Sequence, residues 1–213
     1  MTGLAPDDAS ATPRSGLAAF DFDGTITERD TLLGFLVAVG GRGAVGRALV
    51  RHSTGLARGV RDDAARDAAK ERVLGDILRG RAHDELVEAG QRYAALLPAR
   101  YRTPTVERLR WHQGESHRTA IVSASLVYYL HPVAAELGID HVIGVEMQVD
   151  DAGRLTGALA GPNVRAGEKA TRLRHLIGDG AVELWAYGNS SGDDALLAMS
   201  DHPTWVGKRA ARN

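Results

Sequence analysis

The run Leu17-Ala18-Ala19-Phe20-Asp21-Phe22-Asp23-Gly24-Thr25 constrains this chain more than any other stretch. An apolar segment leads straight into two carboxylates two positions apart, then Gly-Thr. Residues i and i+2 of a strand point the same way. At the end of a buried strand both acids face one small pocket. Two anions that close repel unless a cation lies between them or one keeps its proton. The pair therefore predicts a bound metal, acid/base chemistry, or both.

The periodicity around this run predicts an α/β fold. Leu17–Phe22, Thr119–Val122 and Val182–Tyr187 read as buried strands: short, apolar and bounded by turn formers. His141–Val149 alternates like a strand, Asp151-Ala152-Gly153 reads as a hairpin turn, and Leu155–Leu159 returns. A last short strand is expected over Thr204–Gly207. Helices are expected over Leu32–Val39, Thr105–Gln113, Val127–Leu137 with Gly138 as its stop, Gly167–Ile177 and Ala195–Met199. Gly40-Gly41-Arg42-Gly43 breaks the first of them, and Asp30 and Thr31 are placed to cap it. Ala44–Leu97 reads as several short helices with no strand signal, and Pro98–Pro104 as a return linker.

Strands alternating with helices outside that block predict a doubly wound, mainly parallel sheet. Ligands of such a sheet sit at the carboxyl ends of its strands. Three of those ends are polar: Asp21 with Asp23, Ser123, and Asn189 through Asp193.

The chain has 213 residues, enough for one domain with an insertion. A formal net charge of −1 gives no electrostatic pull toward nucleic acid. With no cysteine, disulfides, thiol nucleophiles and Cys-ligated zinc are excluded, which fits a reducing compartment. Met1–Ser15 has neither a basic start nor an apolar core, so it reads as a flexible tail rather than a secretory signal. The apolar stretch Leu32–Val39 is far short of the roughly 20 residues a spanning helix needs. The expectation is a soluble cytoplasmic protein without membrane insertion. Its oligomeric state is open.

One reaction uses all of these polar residues together. A phosphomonoester needs an in-line nucleophile, an acid for the leaving oxygen, and positive charge around the equatorial oxygens. Asp21 can attack phosphorus and become an aspartyl phosphate. Asp23 can protonate the leaving alkoxide and then activate water. Mg²⁺ suits a few carboxylates plus a substrate phosphate. Lys169 is the natural second cation, and the Ser123 hydroxyl can donate to a phosphate oxygen. Backbone amides after Asp23 and Ser123, at Gly24, Thr25 and Ala124, complete the cradle.

The chain resembles the haloacid dehalogenase superfamily, in its phosphoserine-phosphatase-like branch. Asp21-Phe22-Asp23-Gly24-Thr25 is similar to the nucleophile motif, and Ser123 after Ile121-Val122 to the second. Lys169 in Gly167-Glu168-Lys169-Ala170 is similar to the third, and Gly188-Asn189-Ser190-Ser191-Gly192-Asp193 to the fourth. The resemblance implies a Rossmann-like core with Asp21 as nucleophile, Asp23 as acid/base, and Ser123 and Lys169 on phosphate. It implies Mg²⁺ held by Asp21, the Asp23 carbonyl and the fourth motif, through Asn189 and Asp193. It divides the chain into a tail (1–16), a core (17–29 and 99–213) and an inserted helical cap (30–98). Relatives usually carry Asp where this chain has Asn189, which ligates without charge. Asp23 argues for a phosphatase, because a halide leaving group needs no proton.

The same resemblance addresses the substrate. Asp30, nine residues after Asp21, stands where phosphoserine phosphatases carry an acid for the substrate ammonium. Lys70 and Arg72 are the nearest cap cations for a carboxylate. The expected substrate is a small amino- or hydroxyl-bearing phosphomonoester such as phosphoserine, histidinol phosphate or a phosphoethanolamine-like compound. A lipid phosphate docked on Leu32–Val39, a phosphoester-binding module without turnover, and a phosphomutase are the alternatives.

Overall fold

The computed structural model describes residues 16–58 and 62–207. The expected N-terminal tail lies almost wholly outside the described residues. Seven strands and eight helices follow one another along these residues. β1 (Gly16–Phe20) is followed by α1 (Leu32–Arg51), α2 (Ser53–Arg58), α3 (Asp63–Leu78) and α4 (His83–Ala94). Then come α5 (Thr103–Gly114), β2 (Arg118–Leu126), α6 (Val127–Leu137), β3 (His141–Val145), β4 (Met147–Val149) and β5 (Leu155–Leu159). The last described elements are α7 (Gly167–Ile177), β6 (Glu183–Gly188), α8 (Asp194–Ala198) and β7 (His202–Trp205).

Five strands form one sheet in the order β3-β2-β1-β6-β7, and every pairing in it is parallel. β1 is central and all five of its residues are buried, as an unbroken apolar run demands. Its last residue, Phe20, pairs with Ile121 on β2 and Tyr187 on β6. Ser123 and Asn189 each lie two residues past those partners. Asp21 follows Phe20 directly, so one edge of the sheet collects all three. The strand order turns back on itself at β1, which opens a crevice at that edge. This is the doubly wound, Rossmann-like architecture that the sequence predicts.

Apart from β1, which ends at Phe20 rather than Phe22 and gives way to a helical turn over Phe22–Ile26, the predicted elements differ from the observed ones in four main places. First, β2 continues to Leu126, where the sequence suggested an end at Val122. Second, the break expected over Gly40–Gly43 is present at Gly41 alone (φ 77°, ψ 157°), and α1 resumes beyond it to Arg51, past the expected end at Val39. At 20 residues and a mean hydropathy of 1.4, α1 is long and apolar enough by composition to cross a membrane. The broken turn at Gly41 and the burial of Phe35, Leu36, Val45 and Ala48 instead match a helix packed on α3 and α4. Third, His141–Val149 is two strands: β3 joins the main sheet, while β4 pairs antiparallel with β5. Fourth, the last strand is His202–Trp205 rather than Thr204–Gly207.

The β4–β5 hairpin packs on the helical block. A Cβ at Gly75 of α3 would stand 2.7 Å from the Gly157 carbonyl oxygen, so glycine is what lets the two backbones meet. Gly80 N–H donates to Leu155 O (2.8 Å), and His83 N–H to Gly153 O (2.9 Å). The chain enters and leaves the helical block through two connections that run side by side. Glu28 N–H donates to Arg100 O (2.9 Å) and Arg102 N–H to Ile26 O (2.7 Å). Tyr129 of α6 ties the layers together, its ring 5.0 Å from Phe35, 5.6 Å from Tyr93 and 6.2 Å from Phe22. Such aromatic pairs add to the area they bury.

Under the sheet, away from the crevice, lies a buried imidazole chain. His112 Nδ1 is 2.9 Å from His117 Nδ1, and His112 Nε2 is 2.9 Å from the Tyr187 hydroxyl. Burial, then His117 and Arg108, push the His112 pKa down to about 4. A histidine held neutral in the fold but free to charge when unfolded stabilises the fold above about pH 6.5. That contribution is lost as pH falls from there toward the folded value. The His112 share of the unfolding free energy should therefore drop by about 2 kcal/mol between pH 7 and pH 4.5, while Asp23, whose folded pKa is raised, works in the opposite sense over the same range. Denaturant melts across that range test it. His112→Gln, which hydrogen-bonds without titrating, should shift by about 2 kcal/mol relative to wild type across that range, and a difference that stays constant with pH would clear His112.

Candidate active site

A cavity of about 410 Å³ opens at the carboxyl edge of the sheet. Asp21, Asp23 and Gly24 line it from the segment after β1, and Ser123, Ala124 and Ser125 from the end of β2. Lys169 reaches it from α7, Asn189 and Asp193 from the loop after β6, and Asp30 and Lys70 from the helical block. Residues spread over most of the sequence thus share one enclosure.

The Lys169 amine lies 2.6 Å from Asp21 Oδ1 and 2.6 Å from Asp193 Oδ1. All three side chains are nearly inaccessible, at 3%, 9% and 1% exposure. Burial favours a neutral amine, but two carboxylates outweigh it and hold the Lys169 pKa above its ordinary value. Burial likewise pushes Asp193 up. Lys169 and the amides of Ser190 and Asn189 more than offset this, so Asp193 titrates below the usual range. Asp21 goes the other way: burial outweighs the pull of Lys169, and the nearby Asp193 adds to the rise. The Thr25 hydroxyl donates to Asp21 Oδ2 (3.1 Å).

Asp23 is held by three donors. Thr31 N–H (2.7 Å) and Thr31 Oγ1 (2.6 Å) both reach Oδ1, and Ser125 Oγ donates to Oδ2. Burial, then the charge of Asp30, push its pKa up to about 7, against the lowering effect of the Ser125 and Thr31 hydrogen bonds. A carboxyl poised near neutrality can give and take a proton at working pH.

Four of the expected site residues are placed as follows. In Asp193, expected to hold metal, Oδ1 accepts from Lys169, while Oδ2 accepts from Asn189 N (3.0 Å), Ser190 N (2.9 Å) and Ser190 Oγ (3.0 Å). Its carboxylate therefore fixes the loop and the lysine. Thr25 is fully buried, outside the cavity lining, and its hydroxyl anchors Asp21. Arg72 is exposed and borders a separate cavity with His52, Asp76 and Arg79. Positions two apart on a helix face different ways, so Lys70 and Arg72 cannot serve one site. Asp30 stands at the cavity rim, exposed, and also accepts from Leu33 N (3.3 Å) as a cap.

Sequence reasoning missed Ser125, Thr31, Asn163 and Arg165. Ser125 was within reach of it, since it lies two residues past Ser123 on one strand face. Asn163 and Arg165, in the loop before α7, carried no periodic or motif signal. Arg165 lines the cavity, and Asn163 holds Lys70 (2.6 Å).

The oxygens present suit a hard divalent cation: the Asp21 carboxylate, the Asp23 carbonyl and the Asn189 side-chain amide. Gly24 (φ 80°) makes room for the last of these, because a Cβ there would collide with the Asn189 side chain.

Comparison with known proteins agrees with the architecture. The family model for haloacid dehalogenase-like hydrolases matches residues 18–198. Protein CicA of Caulobacter vibrioides is 34% identical over 187 residues, covering 87% of this chain and 83% of that one. A histidinol-phosphatase of Neisseria meningitidis is 29% identical over 102 residues, covering 45% of this chain and 46% of that one. A phosphoserine phosphatase solved as a phospho-aspartyl intermediate analogue superposes with a TM-score of 0.61 at 17% identity, covering 88% and 84% of the two chains. With the motif residues gathered at the switch point of the sheet and the model match spanning most of its length, the chain belongs to the haloacid dehalogenase-like hydrolases.

Proposed function

We propose that the protein is a Mg²⁺-dependent phosphomonoesterase that works through an aspartyl phosphate. The observation that carries this reading is the placement of Asp21 and Asp23 in one cavity with the Lys169 amine 2.6 Å from Asp21. Asp21 attacks phosphorus in line, and the P–O bond to the leaving group breaks. Asp23 gives its proton to the leaving oxygen, then takes one from the water that cleaves the acyl phosphate. Lys169 and Ser123 neutralise and hold the phosphoryl oxygens, with the amides of Gly24 and Ala124 beside them. Mg²⁺, held by Asp21, the Asp23 carbonyl and Asn189, supplies further positive charge to those oxygens. The helical block acts as a cap, since Asp30 and Lys70 close the cavity from that side.

The substrate is a small phosphorylated metabolite. Among the described residues, Leu32 is the only large apolar side chain lining the cavity, which favours a polar leaving group over a lipid chain. Asp30 at the rim suits an amino group. Histidinol phosphate and phosphoserine, substrates named for the Neisseria and solved relatives, are the first compounds to try.

The test is phosphate release from a panel of small phosphomonoesters with and without Mg²⁺. Wild type should turn over several of them and lose activity in EDTA. Asp23→Asn should cost about 10²- to 10³-fold more on an alkyl phosphate than on p-nitrophenyl phosphate, whose leaving group needs no proton. Equal losses on both would remove Asp23 as the acid. Inertness of the wild type toward every ester would favour a binding module.

A further inference from the structure

Lys70 has a use that its place in the cavity does not by itself reveal. Its amine donates to the Ala124 carbonyl and, at 2.6 Å, to Asn163 Oδ1. Asn163 is buried, and its Nδ2 donates in turn to Asp67 Oδ1 (2.6 Å). The amide orientation follows from the chemistry: reversed, it would set a donor against the ammonium and an acceptor against a carboxylate. Asp67 and Lys70 stand three apart on α3, one above the other on the same face. Asn163, from the loop before α7, bridges them.

The Ala124 carbonyl belongs to a peptide unit with a second task. A peptide is planar, so its carbonyl and the N–H of the next residue move as one. The N–H on the far side of this unit is that of Ser125, and it donates to Ser123 Oγ (3.1 Å). The Ser125 hydroxyl then donates to Asp23 Oδ2. One rigid plane thus connects α3 to the hydroxyl at the phosphate side and to the carboxyl at the leaving-group side. We propose that Asp67 and Asn163 are positioning residues that hold Lys70 on the Ala124 carbonyl, so that the helical block sets the orientation of Ser123 and Asp23. Two of the three Lys70 protons are then spent on the protein, and its main service is to the backbone rather than to a substrate carboxylate.

The catalytic part of this inference rests on the phosphatase reading; the mechanical part does not. The experiment separates them. Amide hydrogen exchange reads the Ser125 N–H directly, with no turnover needed. In Lys70→Met and in Asn163→Ala, exchange at Ser125 should rise about tenfold or more over wild type, with the β1 amides unchanged. An unchanged Ser125 amide in both variants overturns the proposal. Kinetics give the second readout. Each single variant should lower kcat on an alkyl phosphate about tenfold with KM little altered, and the double variant should be no worse than Lys70→Met alone. A rise in KM at constant kcat would make Lys70 a substrate ligand instead, and strictly multiplied losses would break the chain between it and Asn163. Faster Ser125 exchange in the variants of a protein inert toward every ester would leave the positioning chain standing and sink the phosphatase.

Discussion

Asp21→Asn should lose at least ~10⁴-fold in kcat on p-nitrophenyl phosphate, an activated ester that needs no acid. In the proposed mechanism Asp21 forms the covalent intermediate, and an amide oxygen is a far weaker nucleophile. The substitution leaves the geometry nearly intact. The Asn side-chain oxygen can still accept from Lys169 or from Thr25, which now hold the carboxylate at 2.6 and 3.1 Å. Lys169 also keeps Asp193 as its counter-charge. Burial already works against the Asp21 charge, so its removal should leave the melting temperature equal or slightly higher. The test is a kinetic assay paired with a thermal melt. Turnover within tenfold of wild type would remove Asp21 as nucleophile. A collapsed melt would turn the loss into a folding effect.

Much of this could be read from the sequence because the fold is written in short apolar runs. Leu17–Phe20, Ile121-Val122 and Leu184–Tyr187 are largely buried, as a parallel sheet requires, and a polar residue follows each within two positions at the same edge. Register then does the rest: Phe20 pairs with Ile121 and Tyr187, which brings Ser123 and Asn189 beside Asp21. Less legible was whatever depended on tertiary contact. Sequence showed that Asp193 is acidic and near Asn189. It could not show that two backbone amides and Lys169 would saturate its oxygens. The split of His141–Val149 into strands of two sheets follows from the docking of β5 on α3 through Gly75 and Gly157, a contact 82 positions apart in the chain. Asn163 belongs to the same class, since its partners Asp67 and Lys70 lie in a helix joined to it only by folding.

Lys169→Met tests the electrostatic centre of the site, and its effect on stability should exceed that of any other single change there. The amine lies within hydrogen-bond distance of both Asp21 and Asp193, and all three groups are out of solvent. Breaking a buried ion pair by removing one partner costs about 3–5 kcal/mol, because the charge left behind is uncompensated. For a domain of this size that is a fall of about 10 °C in melting temperature. Hydrolysis should drop about 10³-fold, as expected for loss of a preorganised charge on the phosphoryl oxygens. The deficit should depend on pH with a definite sign. Without Lys169, the folded-state pKa of Asp21 rises further above its unfolded value. A group shifted that way favours the fold at low pH and disfavours it as pH climbs through the folded value. The variant should therefore lie closest to wild type near pH 5 and furthest from it near pH 8. Asp21→Asn in the Lys169→Met background removes the stranded anion and should recover part of the lost stability, a coupling that a double-mutant cycle measures directly. A Lys169→Met protein that melts with wild type at pH 8 would mean that the three charges do not act as a unit.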